Sequence, residues 1–283
     1  MNAGAKLGAY GLLLAAVLGG GAAVGSAAGP IGVTGDADHG AGHADEPVAA
    51  VGTELPAGGL LVSQDGYTLV PEDRLADVGP FAFTVVGPDG SPVESYDRLH
   101  DRELHLIVAS RDLAAFTHIH PERDAGGRWS VDLPALAPGS YRAFADFRPA
   151  GDDQLTLGVD LTAPGAAGAP SPLRPSRSDV VDGYEVEVEG HVAAGEEAIA
   201  TVTVRRHGRV VTTEPYLGAA GHLVALRDGD LAYLHVHPLD DEPAGPVRFA
   251  VEVPSPGTYA LFFDFLADGE VRTARFVVDA GTE

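Results

Sequence analysis

No cysteine occurs anywhere in the chain. That absence removes disulfides, thiolate zinc sites, type 1 copper centres and cysteine nucleophiles at once. Methionine occurs once, as Met1, so the soft thioether ligands that suit Cu(I) are missing as well. Positive charge is scarce: 18 Lys and Arg stand against 41 Asp and Glu, a formal charge of −23, and Lys6 is the lone lysine. A surface of that sign excludes nucleic acid and anionic lipid as partners, because phosphate recognition runs on Lys and Arg. No GxSxG or comparable nucleophile motif is present. Beyond the first 35 residues, no stretch of a dozen residues carries the 3.6-residue apolar period of a helix.

What is present is a repeat with its histidines in register. HLIVASRDLAAFTHIHP, from His105, is echoed by HLVALRDGDLAYLHVHP, from His222. In each copy a single His is followed 13 and 15 residues later by a His-x-His pair and then a Pro. His105, His118 and His120 therefore correspond to His222, His235 and His237. The echo extends to PGSYRAFADF against PGTYALFFDF and to DGYTL against DGYEV. A period of roughly 115 to 120 residues is too long for a solenoid unit and fits a whole domain.

The flanking segments divide the chain. After Lys6 come 29 uncharged residues, Leu7 to Gly35, with a small-x-small cleavage signal at Ser26-Ala27-Ala28. Residues 1–35 are thus expected to be a signal peptide or membrane anchor that leaves the rest of the chain extracytoplasmic, touching the membrane only through this segment. Residues 36–54 hold the tract DADHGAGHADE, with His39 and His43, and read as a solvated tether or a loose metal-collecting arm. Two domains are expected over 55–162 and 179–283, joined by a Pro/Ala-rich linker over 163–178.

Within each repeat the texture is β. Short runs such as FAFTVV, WSVDL, YEVEVEG and FAVEV are punctuated by turn dipeptides such as Asp89-Gly90 and Pro138-Gly139. About seven short strands per hundred residues predict an all-β chain of two tandem antiparallel, immunoglobulin-like sandwiches. In YALFFDF, Tyr259, Leu261, Phe263 and Phe265 alternate onto a core face, which turns Asp264 the other way, as Asp146 turns in the first copy.

His118 and His120, two apart on a strand, emerge on one face with Cα atoms about 6.5 to 7 Å apart. A hairpin with an even number of loop residues brings His105 onto that face, whereas an odd loop turns it away. Three neutral imidazoles suit Cu(II), Zn(II) or Ni(II), one ion per repeat, with affinity falling as pH drops through about 6.5. His100 is a candidate fourth ligand in the first repeat, its counterpart lying near Leu217. Asp146 and Asp264 either complete coordination, orient a His, or pair with an arginine. His191 and His207 read as surface residues. The histidines also admit a structural reading, as packed side chains sharing a face with Ile107, Phe116, Val224 and Tyr233. On that reading the chain is an interaction module for a membrane or secreted protein partner. A His beside His-x-His is, thirdly, the ligand set of a zinc-dependent hydratase or hydrolase; the small sandwich and the lack of further catalytic groups favour a non-catalytic chain.

The pattern HLIV…DL…F.H.HP followed by PG.YR.F.DF resembles actinobacterial secreted or membrane-anchored proteins of the heavy-metal-binding type. More distantly it is similar to YtkA-like, FixH-like and CopC-like extracytoplasmic sandwich domains, over nearly all of residues 60 to 280. The resemblance implies an exported protein with a copper or zinc ion at His105, His118, His120, His222, His235 and His237. The methionine-rich arm common in such metal handlers is missing, which argues against Cu(I) delivery. Export has a direct check: a C-terminal fusion to a reporter active only in the cytoplasm should stay silent, and strong signal would overturn the topology.

Overall fold

A computed structural model of the chain describes residues 57–76, 79–170, 172–239 and 245–281. The expected leader and the tract with His39 and His43 lie outside the described residues. Among the described residues there is no helix. The first repeat contains β1 (Ser63–Gln64), β2 (Tyr67–Pro71), β3 (Phe81–Val86), β4 (Tyr96–Asp97), β5 (Leu104–Ser110), β6 (Phe116–Ile119), β7 (Glu122–Arg123), β8 (Arg128–Val131), β9 (Gly139–Pro149) and β10 (Leu155–Ala163). The second contains β11 (Ser178–Val181), β12 (Tyr184–Glu189), β13 (Glu197–Arg206), β14 (Arg209–Val210), β15 (His222–Arg227), β16 (Tyr233–His235), β17 (His237–Pro238), β18 (Val247–Glu252), β19 (Gly257–Ala267) and β20 (Glu270–Ala280).

Each repeat folds into two sheets. The first pairs β1-β2-β3-β8-β7 with β10-β9-β5-β6; the second pairs β11-β12-β13-β18-β17 with β16-β15-β19-β20. The strand pairs are antiparallel, and this order is that of an immunoglobulin-like sandwich. Both copies also carry a tyrosine corner: the hydroxyls of Tyr141 and Tyr259 donate to the carbonyls of Ala137 and Ser255, at 2.8 and 2.7 Å. Strand alternation decides what each side chain does. In β12, Tyr184, Val186 and Val188 are buried while Glu185, Glu187 and Glu189 face water.

β5 breaks that rule, because all seven of its residues are buried. Leu104, Leu106 and Val108 enter the core of the first sandwich. Ile107 and Ala109, on the opposite face, enter a separate apolar cluster with Phe144, Val224, Leu226, Tyr233, Ala260 and Phe262. This cluster draws on both repeats, so the outer faces of the β5 and β15 sheets pack against each other. The contacts are reciprocal. Phe116 stacks on Phe262 with ring centroids 4.0 Å apart, and Phe144 meets Tyr233, the counterparts of the same two residues, at 5.6 Å. Fully burying side chains of this size contributes about 1.5 to 3 kcal/mol each.

The chain entering the first repeat lies over this junction. Gly59, at φ +74°, presses on Phe144, where an added Cβ would come within 2.4 Å of the ring. Arg142, 8% exposed, clamps the segment by donating to the Gly59 and Leu60 carbonyls at 2.8 and 2.9 Å. The Pro/Ala-rich linker contributes Leu173 to the same cluster.

Phe262 belongs to the junction and to neither sandwich core. Phe262→Ala should cost about 3 to 5 kcal/mol and split urea unfolding into two transitions as the repeats uncouple. A single transition with an unchanged midpoint would contradict this packing.

Candidate functional site

Hairpin parity decides where the histidines go. Ala109 pairs with Phe116 and Ile107 with His118, and Ser110 N–H closes the loop on the Ala115 carbonyl. The tip, Arg111 to Ala114, is even, so His105, His118 and His120 share the outer face of the β5 sheet. The second copy closes in the same way, from Arg227 to Ala232, with Val224 opposite His235. Its Asp228-Gly229 therefore sits within a four-residue tip rather than forming a two-residue turn.

One ring nitrogen from each of His105, His118 and His120 lies within 4.8 Å of the other two. Nδ1 of His105 is 3.0 Å from Nε2 of His118 and 3.1 Å from Nε2 of His120. The opposite nitrogens of two rings are committed elsewhere. Nε2 of His105 donates to the Leu99 carbonyl at 2.9 Å, and Nδ1 of His118 donates to Oδ2 of Asp264 at 2.8 Å. A carbonyl and a carboxylate can only accept, so both protons are placed and, in neutral rings, the lone pairs of His105 Nδ1 and His118 Nε2 face each other. At 3.0 Å two lone pairs repel unless a cation, either a proton or a metal ion, sits between them. A tetrahedral ion with bonds of about 2.0 to 2.1 Å sets its ligand nitrogens about 3.3 Å apart, close to the observed spacing.

Asp264 comes from the other repeat. It is 2% exposed and held by Thr273, whose hydroxyl donates to Oδ1 at 2.5 Å. Its counterpart Asp146, 1% exposed, accepts from Gln154 and Thr156 on Oδ1 and from the Tyr233 hydroxyl on Oδ2 at 3.4 Å. The hydrogen bonds just given to the two aspartates come from histidine, threonine, glutamine and tyrosine, and Arg142, four residues before Asp146, turns to Asp160 and to the Gly59 carbonyl.

His222 repeats the anchoring of His105, with Nε2 donating to the Tyr216 carbonyl at 2.9 Å. It stands close to the first repeat's cluster. Its ring centroid is 6.3 Å from His105 and 6.2 Å from His118, across the junction. His100 lies 5.0 Å from His222 and 6.1 Å from His105, nearer the second repeat's histidine than its own. His235 ends β16 and His237 pairs with Ala250 of the opposite sheet; their side chains lie outside the described residues. His191 and His207 are exposed, as expected. A cavity of about 20 Å³ touches His100, His105, His118, Asp146, His222 and Tyr233.

The meeting of the repeats went unread in the sequence, although a signal was there. LIVA and LVAL, the four residues that follow His105 and His222, are apolar at every position, the mark of a strand covered on both faces.

Burial keeps the rings of His105, His120 and His222 neutral near pH 7. It pushes His105 down to about 4, helped by the neighbouring His118, and His222 to about 4; His120 falls to about 2 through burial, then His118 and His105. In these three rings the neutral form therefore persists well below the pH of about 6.5 expected from an ordinary imidazole. The sign for stability follows from linkage. Below about pH 6.5 the unfolded chain takes up protons that folded His105 and His222 refuse until about pH 4, so stability drops as pH falls through that window. Urea midpoints of metal-free protein should decline across that range; a flat profile would show the rings to be solvated.

A family model described as "Domain of unknown function (DUF8832)" matches residues 63–165 and again 179–282. No curated protein matches the chain. Solved structures that resemble it include domains 4 and 5 of the S-layer protein SbsC, at 12% identity over 79% of this chain and 100% of that one, TM-score 0.25. A two-domain fibronectin type III segment of chicken tenascin is 11% identical over 75% and 97% of the two chains, TM-score 0.22. The D00-D0 domain of intimin is 10% identical over 75% and 98%, TM-score 0.23. The two matched segments together span most of the chain, which therefore belongs to the DUF8832 family and carries its domain twice.

Proposed function

We propose that this protein is an exported, non-catalytic metal-binding protein that holds a divalent transition ion, copper(II) or zinc, through His105, His118 and His120. The observation that carries the reading is the convergence of lone pairs. Three imidazole nitrogens approach one point while their partners on the far side of the rings, the Leu99 carbonyl and Asp264, fix the orientation that presents them. A carboxylate behind a ligating histidine raises its basicity and fixes its tautomer. The likeness of the histidine motif to YtkA-like, FixH-like and CopC-like domains supports the same reading. So does the absence of cysteine, which leaves imidazole as the best ligand the chain can offer.

A binding role is favoured over an enzyme by the room available. The cavity beside the histidines, about 20 Å³, accommodates a single water-sized group. An extracytoplasmic location rests on the leader, with Lys6 ahead of its uncharged run. Among the described residues no helix is long and apolar enough to cross a membrane.

Untagged protein should bind zinc or copper(II) tightly, measured by element analysis after dialysis. His118→Ala with His120→Ala should abolish binding at this cluster. Asp264→Asn should weaken it by about 10- to 100-fold, although Asp264 belongs to the other repeat. A double variant that keeps the parent's full metal content would place the ligands elsewhere. A parent that takes up no ion at micromolar concentration would leave the histidines as a proton-sharing structural network.

A further inference from the structure

We infer that an ion at His105, His118 and His120 latches the junction: metal on the first repeat holds the second repeat docked, and its loss loosens the pair. The inference rests on the proposed metal-binding role and adds a regulation to it, because contact between the repeats then depends on occupancy of the site.

The latch is a bond that spans the repeats and includes a cluster ligand. Among the described residues, His118 is the cluster histidine bonded to the second repeat, through Nδ1 to Oδ2 of Asp264 at 2.8 Å. Other polar bonds cross the junction without touching the cluster. The Tyr233 amide donates to the Gly58 carbonyl at 2.9 Å, and Nη1 of Arg275 donates to the Leu113 carbonyl at 3.0 Å. A single imidazole ring thus separates metal on the first repeat from a carboxylate of the second.

Occupancy acts on that ring in two ways. An ion on Nε2 needs the His118 proton on Nδ1, and Asp264 accepts it there only while the repeats are docked. Charge adds to this. Asp264 is 2% exposed, and its described partners are the Thr273 hydroxyl and this ring. A carboxylate so far from water is costly to bury without a positive partner. A divalent ion on Nε2 puts positive charge across the same ring, which strengthens the bond from Nδ1–H to the carboxylate. Such coupling is reciprocal. If docking through Asp264 improves metal affinity by about 10- to 100-fold, metal improves docking by the same factor. The stacking of Phe116 on Phe262 and of Phe144 against Tyr233 sets the baseline on which the ion acts.

Hydrogen exchange of the Tyr233 amide in the full-length protein reads the junction, because the strap that carries its acceptor is tied to the first repeat by Gly59 N–H on the Thr156 carbonyl. Saturating zinc should slow that exchange by about 10- to 100-fold. In Asp264→Asn, with enough zinc to fill the site, the slowing should shrink to a few-fold at most. In Phe262→Ala, zinc should draw the two urea transitions together. An unchanged Tyr233 rate in zinc-loaded parent would overturn this inference and leave the proposed function standing. So would full slowing in Asp264→Asn, or zinc that shifts one transition of Phe262→Ala and leaves the other at its metal-free midpoint. No zinc uptake by the parent would overturn both.

Discussion

A buried hydrogen bond between His118 and Asp264, 2.8 Å long, joins a ring of one sandwich to a carboxylate of the other. Both side chains are almost wholly removed from water, at 5% and 3% exposure. A polar pair in such a place is costly unless its geometry is satisfied. Here it is satisfied only when the repeats are docked, so the chemistry of the histidines and the packing of the domains depend on each other. If the repeats part, His118 loses the acceptor that fixes its proton on Nδ1, and Nε2 no longer has to be the nitrogen that faces His105.

The apolar cluster supplies the force that keeps them docked. Each sandwich has an ordinary inner core; the unusual feature is the outer face of the β5 and β15 sheets, where Ile107, Phe144, Val224 and Phe262 take positions that a half-solvated antiparallel sheet gives to polar residues. The same alternation that sends these residues outward sends His105, Asp146, His222 and Asp264 outward too. On β5 and β15 the histidine stands at one end and the apolar residues, Ile107 and Ala109 or Val224 and Leu226, follow it. The junction therefore reads along its length as a greasy seal followed by a histidine cage. Reciprocity between the copies, Phe116 on Phe262 and Tyr233 on Phe144, resembles a homodimer interface built into one chain.

Much of this was legible from residue order alone. Strand alternation put Tyr259, Leu261, Phe263 and Phe265 inward and Asp264 outward, and the structure agrees. The shared face of His105 with His118 and His120 followed from even loop parity, which the hydrogen bond from Ser110 to Ala115 satisfies. What the sequence did not disclose is distance across the repeat boundary. Period-two alternation assigns a residue to a face but does not say what covers that face, so Asp264 could not be matched to His118, 146 residues away. Chain order likewise offers His100 only as a candidate fourth ligand beside His105, because proximity in sequence is its one visible cue. Its placement toward His222 follows from a turn with two positive φ angles, at His100 and Asp101, that no glycine announces.

The central claim is that imidazoles at this junction ligate a metal ion. X-ray absorption at the metal edge of the zinc- or copper(II)-loaded protein tests it most directly. The nearest neighbours should be nitrogens at about 2.0 to 2.1 Å, with the outer-shell scattering pattern that rigid imidazole rings produce. A shell of oxygens alone, without imidazole scattering, would contradict it.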